Sequence, residues 1–338
     1  MRHFCTYFDT NYITRGLALY QSLEEHCRDF FLWVLCLDED TYSCLSNLAL
    51  PSVGLIRLCE LEDHDRELAE AKKRRRLIEY YFTCTPALPL YVLWKYGHVD
   101  RITYLDADLY FFSSPDPLFE EMANSSIAII AHRFSPALRK HEDTGIYNVS
   151  WVSFRRDSNA FDCLDSWRNQ CIENCHYEDG GKVFGDQRYL DDWPTRFNGV
   201  HVIHNEAANL AYWNILNYNL SVDENIPHVN QNPLIFFHFQ GLIMISKSWY
   251  DSGFHRKVTL SPLVINHIFK PYIIKNKWVH DKYLKEKYSQ FSMGSIRKQR
   301  FLTFRQLPDN LLRMLMILYR GLLLGKYIYV PVHICQIT

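Results

Sequence analysis

At 338 residues, with 48% hydrophobic and 22% charged side chains and only 13 Gly and 13 Pro, the chain is long enough for one large globular domain or two. That composition excludes the collagen-like, low-complexity and intrinsically disordered classes. The 37 Lys and Arg against 38 Asp and Glu leave a formal net charge of -1, so the chain as a whole is not a polycation built for nucleic acid, and no nucleic-acid partner is expected.

Taken in chain order, His3–Phe8 is a short apolar run before a turn. Thr14–His26 places Leu17, Tyr20 and Leu23 three apart, as on one helix face. Phe30–Leu37 is continuously apolar and stops at Asp38, the pattern of a parallel strand buried on both faces. Leu55–Leu58 reads as a strand and the charged, periodic stretch Leu61–Tyr81 as a single helix. Arg101–Leu105 and Ile127–His132 read as strands, and Asp157–Cys175 as a helix. Strands alternating with helices predict an α/β fold with a mostly parallel sheet flanked by helices.

The first residues carry no secretory h-region, and no run of about 18 uncharged apolar residues occurs, so a cytoplasmic chain is expected. Among ten cysteines there is no CxxC pair. Cys171, Cys175 and His176 approach a metal spacing but lack a second half, so reduced thiols are expected.

Charge is spread unevenly. Lys270–Thr338 holds 13 Lys and Arg against 3 Asp and Glu, while the remainder holds 24 against 35. The division expected is an acidic catalytic body over residues 1–260 and a basic helical extension over 261–338, set apart from it. Inside the extension, Pro308-Asp309-Asn310 starts and Gly325 stops a very apolar helix, Leu311–Leu324, with Arg313 and Arg320 on one face. Such a helix can lie at the inner membrane face as a peripheral contact, or pack into the fold.

The most informative segment is Arg101-Ile-Thr-Tyr-Leu-Asp106-Ala-Asp108-Leu-Tyr-Phe-Phe112. An apolar strand runs straight into two carboxylates two residues apart. In a parallel sheet the carboxyl end of a strand is where ligands sit, and two carboxylates there can share one divalent cation. His238, at the end of the apolar run Leu234–Phe237, offers an imidazole from a second strand end. Two carboxylates with one imidazole suit Mn2+ better than Ca2+, because imidazole is the softer ligand, and Mg2+ is the alternative ion. Near the N-terminus, Asp9 can accept from a base N–H, Tyr12 offers a stacking face, and Asn11 suits a ribose or phosphate. Asp9 also suits a helix cap.

Tyr104-Leu-Asp-Ala-Asp108 resembles the DxD motif of GT-A glycosyltransferases. Four further segments resemble the family-eight type of that fold: Phe8-Asp9-Thr-Asn11-Tyr12 its nucleotide-binding opening, Asp143-Thr-Gly-Ile146 its Asn-x-Gly segment, Gly185-Asp186-Gln187 its Asp-Gln motif, and His238-Phe-Gln-Gly241 its His-x-x-Gly. The resemblance implies a GT-A, Rossmann-like catalytic domain of a divergent bacterial branch. It implies Asp106, Asp108 and His238 as metal ligands, Asp9, Asn11, Tyr12, Asp106 and Gly241 at the nucleotide, Asp143 and Asn148 at the sugar, and Asp186 and Gln187 as catalytic residues. Gln187 would stabilise developing positive charge, with Asp186 orienting donor hydroxyls in a retaining enzyme or serving as general base in an inverting one. The sequence does not separate these outcomes. The expected function is metal-dependent, retaining transfer of a hexose from a UDP-linked donor to a glycan or lipid-linked acceptor in envelope polysaccharide synthesis.

The sequence departs from that pattern twice. The family's Lys-Pro-Trp after His-x-x-Gly, whose lysine contacts the diphosphate, is replaced by Leu-Ile-Met-Ile-Ser-Lys247. The family's arginine before the metal strand has no counterpart, since Thr83–Pro89 occupies that region; Lys72–Arg76 can substitute or form a solvated helix face. The missing Lys-Pro-Trp lysine keeps open an alternative, a catalytically weakened sugar-nucleotide-binding protein. A sugar nucleotidyltransferase would want a Gly-rich phosphate loop after the first strand, where this chain has one glycine in Thr10–Gly16.

Overall fold

The computed structural model describes residues 1–177, 185–246, 248–254, 260–288 and 326–331. Lys247 and the apolar stretch Leu311–Leu324 lie outside these residues.

The first half alternates as its apolar runs dictate: β1 (Arg2–Phe8), α1 (Ile13–His26), β2 (Phe30–Cys36), α2 (Glu39–Leu48) and β3 (Val53–Arg57). Asp38 ends the β2 run and caps α2, its carboxylate accepting from the Thr41 amide at 2.7 Å. The charged stretch after β3 is three helices where one was expected: α3 (Leu58–His64), α4 (Arg66–Lys72) and α5 (Leu77–Lys95). Asp65 breaks the first pair, because its carboxylate caps α4 by accepting from the Leu68 amide at 2.9 Å. The run Lys73–Arg76 links α4 to α5. Arg75 turns across to the carbonyls of Cys171 and Ile172, 3.0 and 2.9 Å away, near the end of a later helix. α5 continues through Pro86 and Pro89, so residues that read as an interruption form its middle.

Next come β4 (Arg101–Leu105), β5 (Leu109–Phe111), α6 (Asp116–Glu121), β6 (Ile127–Ala131), β7 (Tyr147–Arg155), α7 (Ser158–Glu173), α8 (Trp193–Arg196) and β8 (Val200–Ile203). Seven strands make one sheet in the order β3-β2-β1-β4-β7-β6-β8. β1, β2, β3 and β4 run parallel, as do β6 and β8, while β7 runs against both of its neighbours.

Alternate side chains of β2 enter different cores. Leu32, Val34 and Cys36 join the core under α1, and Trp33 and Leu35 join the one under α5 and α7. This is the period of two expected of a strand covered on both faces. Each large apolar side chain so buried contributes about 1.5–3 kcal/mol. The layers fit closely: a Cβ on Gly16 of α1 would lie 2.2 Å from the Phe8 ring, so α1 approaches β1 nearer than any other residue would allow.

The second half adds small sheets at the carboxyl ends of β1 and β4. β9 (Leu220–Asp223), β10 (Ile226–Val229) and β11 (Asn232–Pro233) form one antiparallel unit. β12 (Phe236–His238) pairs with β5. β13 (Ile243–Met244), β14 (Trp249–Asp251) and, from far down the chain, β15 (Tyr327–Tyr329) form another. Between β14 and β15 lie α9 (Pro262–Val264) and α10 (Lys270–Val279).

The described part of the basic region is packed onto the body rather than set apart. Tyr272, Ile273 and Val279 join the α1 core, Lys275 pairs with Glu25, and the buried Lys277 donates to the Val330 carbonyl at 3.0 Å. Among the described residues no helix is long and apolar enough to cross a membrane.

Candidate active site

β4 ends at Leu105, and the next four residues turn: the Asp106 amide still donates to Ser150 of β7 at 3.1 Å, and the Leu109 amide closes onto the Asp106 carbonyl at 3.1 Å. The chain re-enters as β5, whose Leu109 stands opposite His238 in β12. The amide of Phe239 donates to the Asp108 carbonyl at 3.0 Å, and that of His238 to Leu210 at 2.9 Å. This register brings His238 Nε2 to 3.1 Å from Asp108 Oδ1 and 3.5 Å from Asp106 Oδ2. One ligand atom from each of the three residues falls within 4.8 Å of the others. The Trp213 ring meets His238 edge-on at 5.3 Å, and Tyr104 donates its hydroxyl to Asp106 Oδ1 at 2.9 Å.

Burial sets the electrostatics. It pushes the Asp106 carboxyl up, with the neighbouring Asp108 adding to the rise and His238 opposing it. Burial works the same way on Asp108, but His238 and Arg15 outweigh it and hold that carboxyl below its usual range. His238, whose buried ring should lose its proton easily, is held above its ordinary value by the two carboxylates. Two carboxylates and an imidazole converging from two strand ends, with no cation but Arg15 in contact among the described residues, fit a divalent metal.

The β1–α1 loop lies beside this cluster. Asn11 folds back on Asp9, its backbone and side-chain nitrogens each donating to the carboxylate at 3.0 Å, and the Tyr81 hydroxyl reaches Asp9 from α5 at 3.5 Å. Tyr12 is 37% exposed, and its ring lies against the guanidinium of Arg15. Gly241 has a φ of +82° and faces Gly253 so closely that a Cβ on the latter would come within 2.6 Å of Gly241.

Asp186, Gln187 and Asn148 form a second group, linked through the Gln187 amide. Asp186 is buried, its carbonyl accepting from Trp167 Nε1 at 2.9 Å. Burial pushes its carboxyl up to about 7, with a Thr85 hydrogen bond working against the rise and Asp106 adding to it. Gln187 donates to the Thr144 carbonyl at 3.0 Å and accepts from Asn148 Nδ2 at 3.3 Å. Asp143 is exposed, and among the described residues its side chain makes no hydrogen bond or ion pair.

Several contributors were not anticipated from the sequence. Arg15 ties Asp108 to the loop after Gly241. Thr85 sits between Asp186 and the Tyr7 hydroxyl, which is 3.1 Å away. His132 backs Asn148, and Asn209 and Asn214 fasten the segment before His238 to β6 and β7. The available signal was a lone basic residue on the apolar face of α1, one turn after Tyr12. Cys171 and Cys175 are buried free thiols, and the ring of His176 meets Glu79.

No family model matches the chain. It is 34% identical over 300 residues to the uncharacterized protein YfnD of Bacillus subtilis, covering 88% of this chain and 95% of that one. It is 32% identical over 251 residues to YfnF of the same organism, covering 72% and 82%. Among solved structures, an active-site mutant of LgtC aligns with a TM-score of 0.50 at 15% identity, over 81% of this chain and 94% of that one. The galactosyltransferase LgtC with donor and acceptor sugar analogues aligns at 0.49 and 15%, over 81% and 95%. The chain thus belongs to the family of YfnD and YfnF, and its architecture is the GT-A fold of nucleotide-sugar glycosyltransferases.

Proposed function

We propose that the protein is a metal-dependent glycosyltransferase that moves a hexose from a nucleotide sugar, UDP-linked, to a glycan or lipid-linked acceptor with retention. The observation that carries this reading is the Asp106–Asp108–His238 cluster, its carboxylates at the carboxyl end of the central strand β4 of a GT-A fold and its imidazole from β12. Those three residues would hold the cation, which when bound neutralises charge on the departing diphosphate as a Lewis acid.

The chain's own groups have complementary tasks. Tyr12 presents an open ring face to the base, and Asp9, held by Asn11, keeps an acceptor toward it. Asp186, buried and holding its proton up to about pH 7, orients donor hydroxyls as donor or acceptor. Gln187 has its amide fixed from both ends, with Nε2 on Thr144 and Oε1 on Asn148. That leaves the oxygen's second lone pair to stabilise positive charge developing on the sugar ring. Asn148 acts through Gln187, and Asp143 stands at the rim of the sugar pocket. An acceptor carried on a lipid suits the basic C-terminal region and a place at the inner membrane face.

Release of nucleoside diphosphate from a panel of nucleotide hexoses with Mn2+ tests the proposal. Wild type should release it and Asp108→Ala should not. Tight donor binding with no release under any acceptor would favour a binding protein, the reading that the missing Lys-Pro-Trp lysine supports. Absence of both binding and release would reject the two together.

A further inference from the structure

Arg15 lies one helical turn past Tyr12 on α1, so both side chains leave the same face. Arg15 is 4% exposed, and its guanidinium meets three parts of the site at once. Nη1 is 3.5 Å from Asp108 Oδ2, Nη2 donates to the Leu242 carbonyl just past Gly241, and Cζ is 4.5 Å from the centroid of the Tyr12 ring. Among the described residues it is the Lys or Arg side chain in ion-pair contact with the cluster. Burying a guanidinium is costly unless charge and hydrogen bonds compensate it, and a guanidinium does not escape by losing its proton.

The charge count gives this placement a use. A divalent cation and two carboxylates cancel, and a ligating imidazole is neutral. Arg15 therefore leaves the loaded cluster one positive charge in surplus, between Asp108 and the ring of Tyr12. A nucleoside brings no charge to balance it, whereas a nucleoside diphosphate brings two or more.

We infer that Arg15 is a positioning residue that makes the site discriminate a nucleoside diphosphate from the bare nucleoside, while its other contacts hold Tyr12 and the Leu242 loop in one geometry. This rests on the nucleotide-sugar reading of the site.

Calorimetric titration of the full chain with MnCl2 present tests it, using UDP, GDP, ADP, CDP and dTDP and their nucleosides against wild type, Arg15→Gln and Arg15→Lys. For whichever diphosphate the wild type binds, Arg15→Gln should weaken affinity about tenfold or more, the size expected of one unit charge acting across a few ångströms of protein. The matching nucleoside should lose less than about threefold, and Arg15→Lys should restore most of the diphosphate affinity. Equal losses for the diphosphate and the nucleoside, or no loss, would overturn the role of Arg15 and leave the nucleotide reading intact. If Arg15→Gln does not fold, Arg15→Lys decides. Diphosphate and nucleoside affinities each kept within about threefold uphold the inference, and a diphosphate loss well beyond that of the nucleoside, with the charge still in place, overturns it. A wild type that binds none of the five diphosphates overturns the nucleotide reading, and this inference with it.

Discussion

Nε2 of the buried His132 accepts from Nδ2 of Asn148 across 2.8 Å, and the same Asn148 nitrogen donates to Gln187. The other ring nitrogen, Nδ1, donates to the Ile146 carbonyl at 3.2 Å, which fixes the tautomer. Burial holds His132 neutral, pushing its titration down to about 3. A chain of hydrogen bonds thus sets which end of the Gln187 amide faces the site.

Replacing the middle member should break this chain. Asn148→Leu leaves His132 Nε2, Gln187 Oε1 and the Ser150 amide without their partner. A cost of about 2 kcal/mol or more is expected in urea denaturation. Sugar transfer should fall further than donor binding, because the amide loses its orientation. Unchanged turnover at normal stability would mean that the chain does not serve Gln187.

Asp186 should leave a signature in stability against pH. Its carboxyl is raised from about 3.8 to about 7. Between those values the unfolded chain has shed a proton that the folded chain keeps, so stability falls as pH rises from about 4 to 7 and then levels off. Asp186→Asn should flatten that decline and gain up to about 4 kcal/mol above pH 7. Denaturation of both proteins in chelator at pH 5 and pH 8 checks this; a difference independent of pH would assign the decline to another group.

Metal should stabilise the folded chain through the cluster. Mn2+ at 100 times its Kd should add about 2.7 kcal/mol. Asp106→Asn and His238→Ala should each remove most of that gain, read as the change in melting temperature on adding and then chelating the ion. Retention of the full gain in both variants would place the ion elsewhere.

Tyr12→Ala should weaken nucleotide binding by about 1–2 kcal/mol, the scale of a base stacked on an aromatic ring, and leave Mn2+ affinity nearly unchanged. Titration with each ligand separately distinguishes the two effects. A loss of metal affinity as large as the loss of nucleotide affinity would show the ring acting on Asp108 through Arg15.

Truncation after Gly325 should destabilise the body. It removes β15 from β14 and strips the buried Lys277 of the Val330 carbonyl. Loss of a hydrogen bond from a buried ammonium costs about 1.5–3 kcal/mol and the lost ladder adds to it, so the shortened chain should unfold at markedly lower urea. A normal midpoint would show that the strand is dispensable.

The Asp106–Asp108–His238 cluster was legible in the sequence because its signals are local. Asp106 and Asp108 interrupt two apolar runs, and His238 closes another. Arg15 was not legible, since a basic residue on a helix reads as solvated until the opposite wall is known, and that wall is Asp108 and Leu242. The His132–Asn148–Gln187 chain was hidden for the same reason: its members come from three segments that only the sheet brings together. α3 and α4 were merged because Asp65 looks like one more charge in a charged stretch, yet its capping role breaks the helix. The basic region was read as separate from its charge alone, but Lys277 directs that charge at a backbone carbonyl inside the core.

The short ladder between β5 and β12 also bears on how the protein is made. Its three residue pairs join a segment in the first third of the chain to one in the last third. Contacts this distant in sequence form late, because the loop between them must close first. A nascent chain that has passed Asp108 but not reached His238 carries two carboxylates and no imidazole. On the ribosome the Asp106–Asp108–His238 cluster is therefore completed only after all seven strands of the central sheet have been synthesised, so its closure marks a chain whose fold is nearly finished.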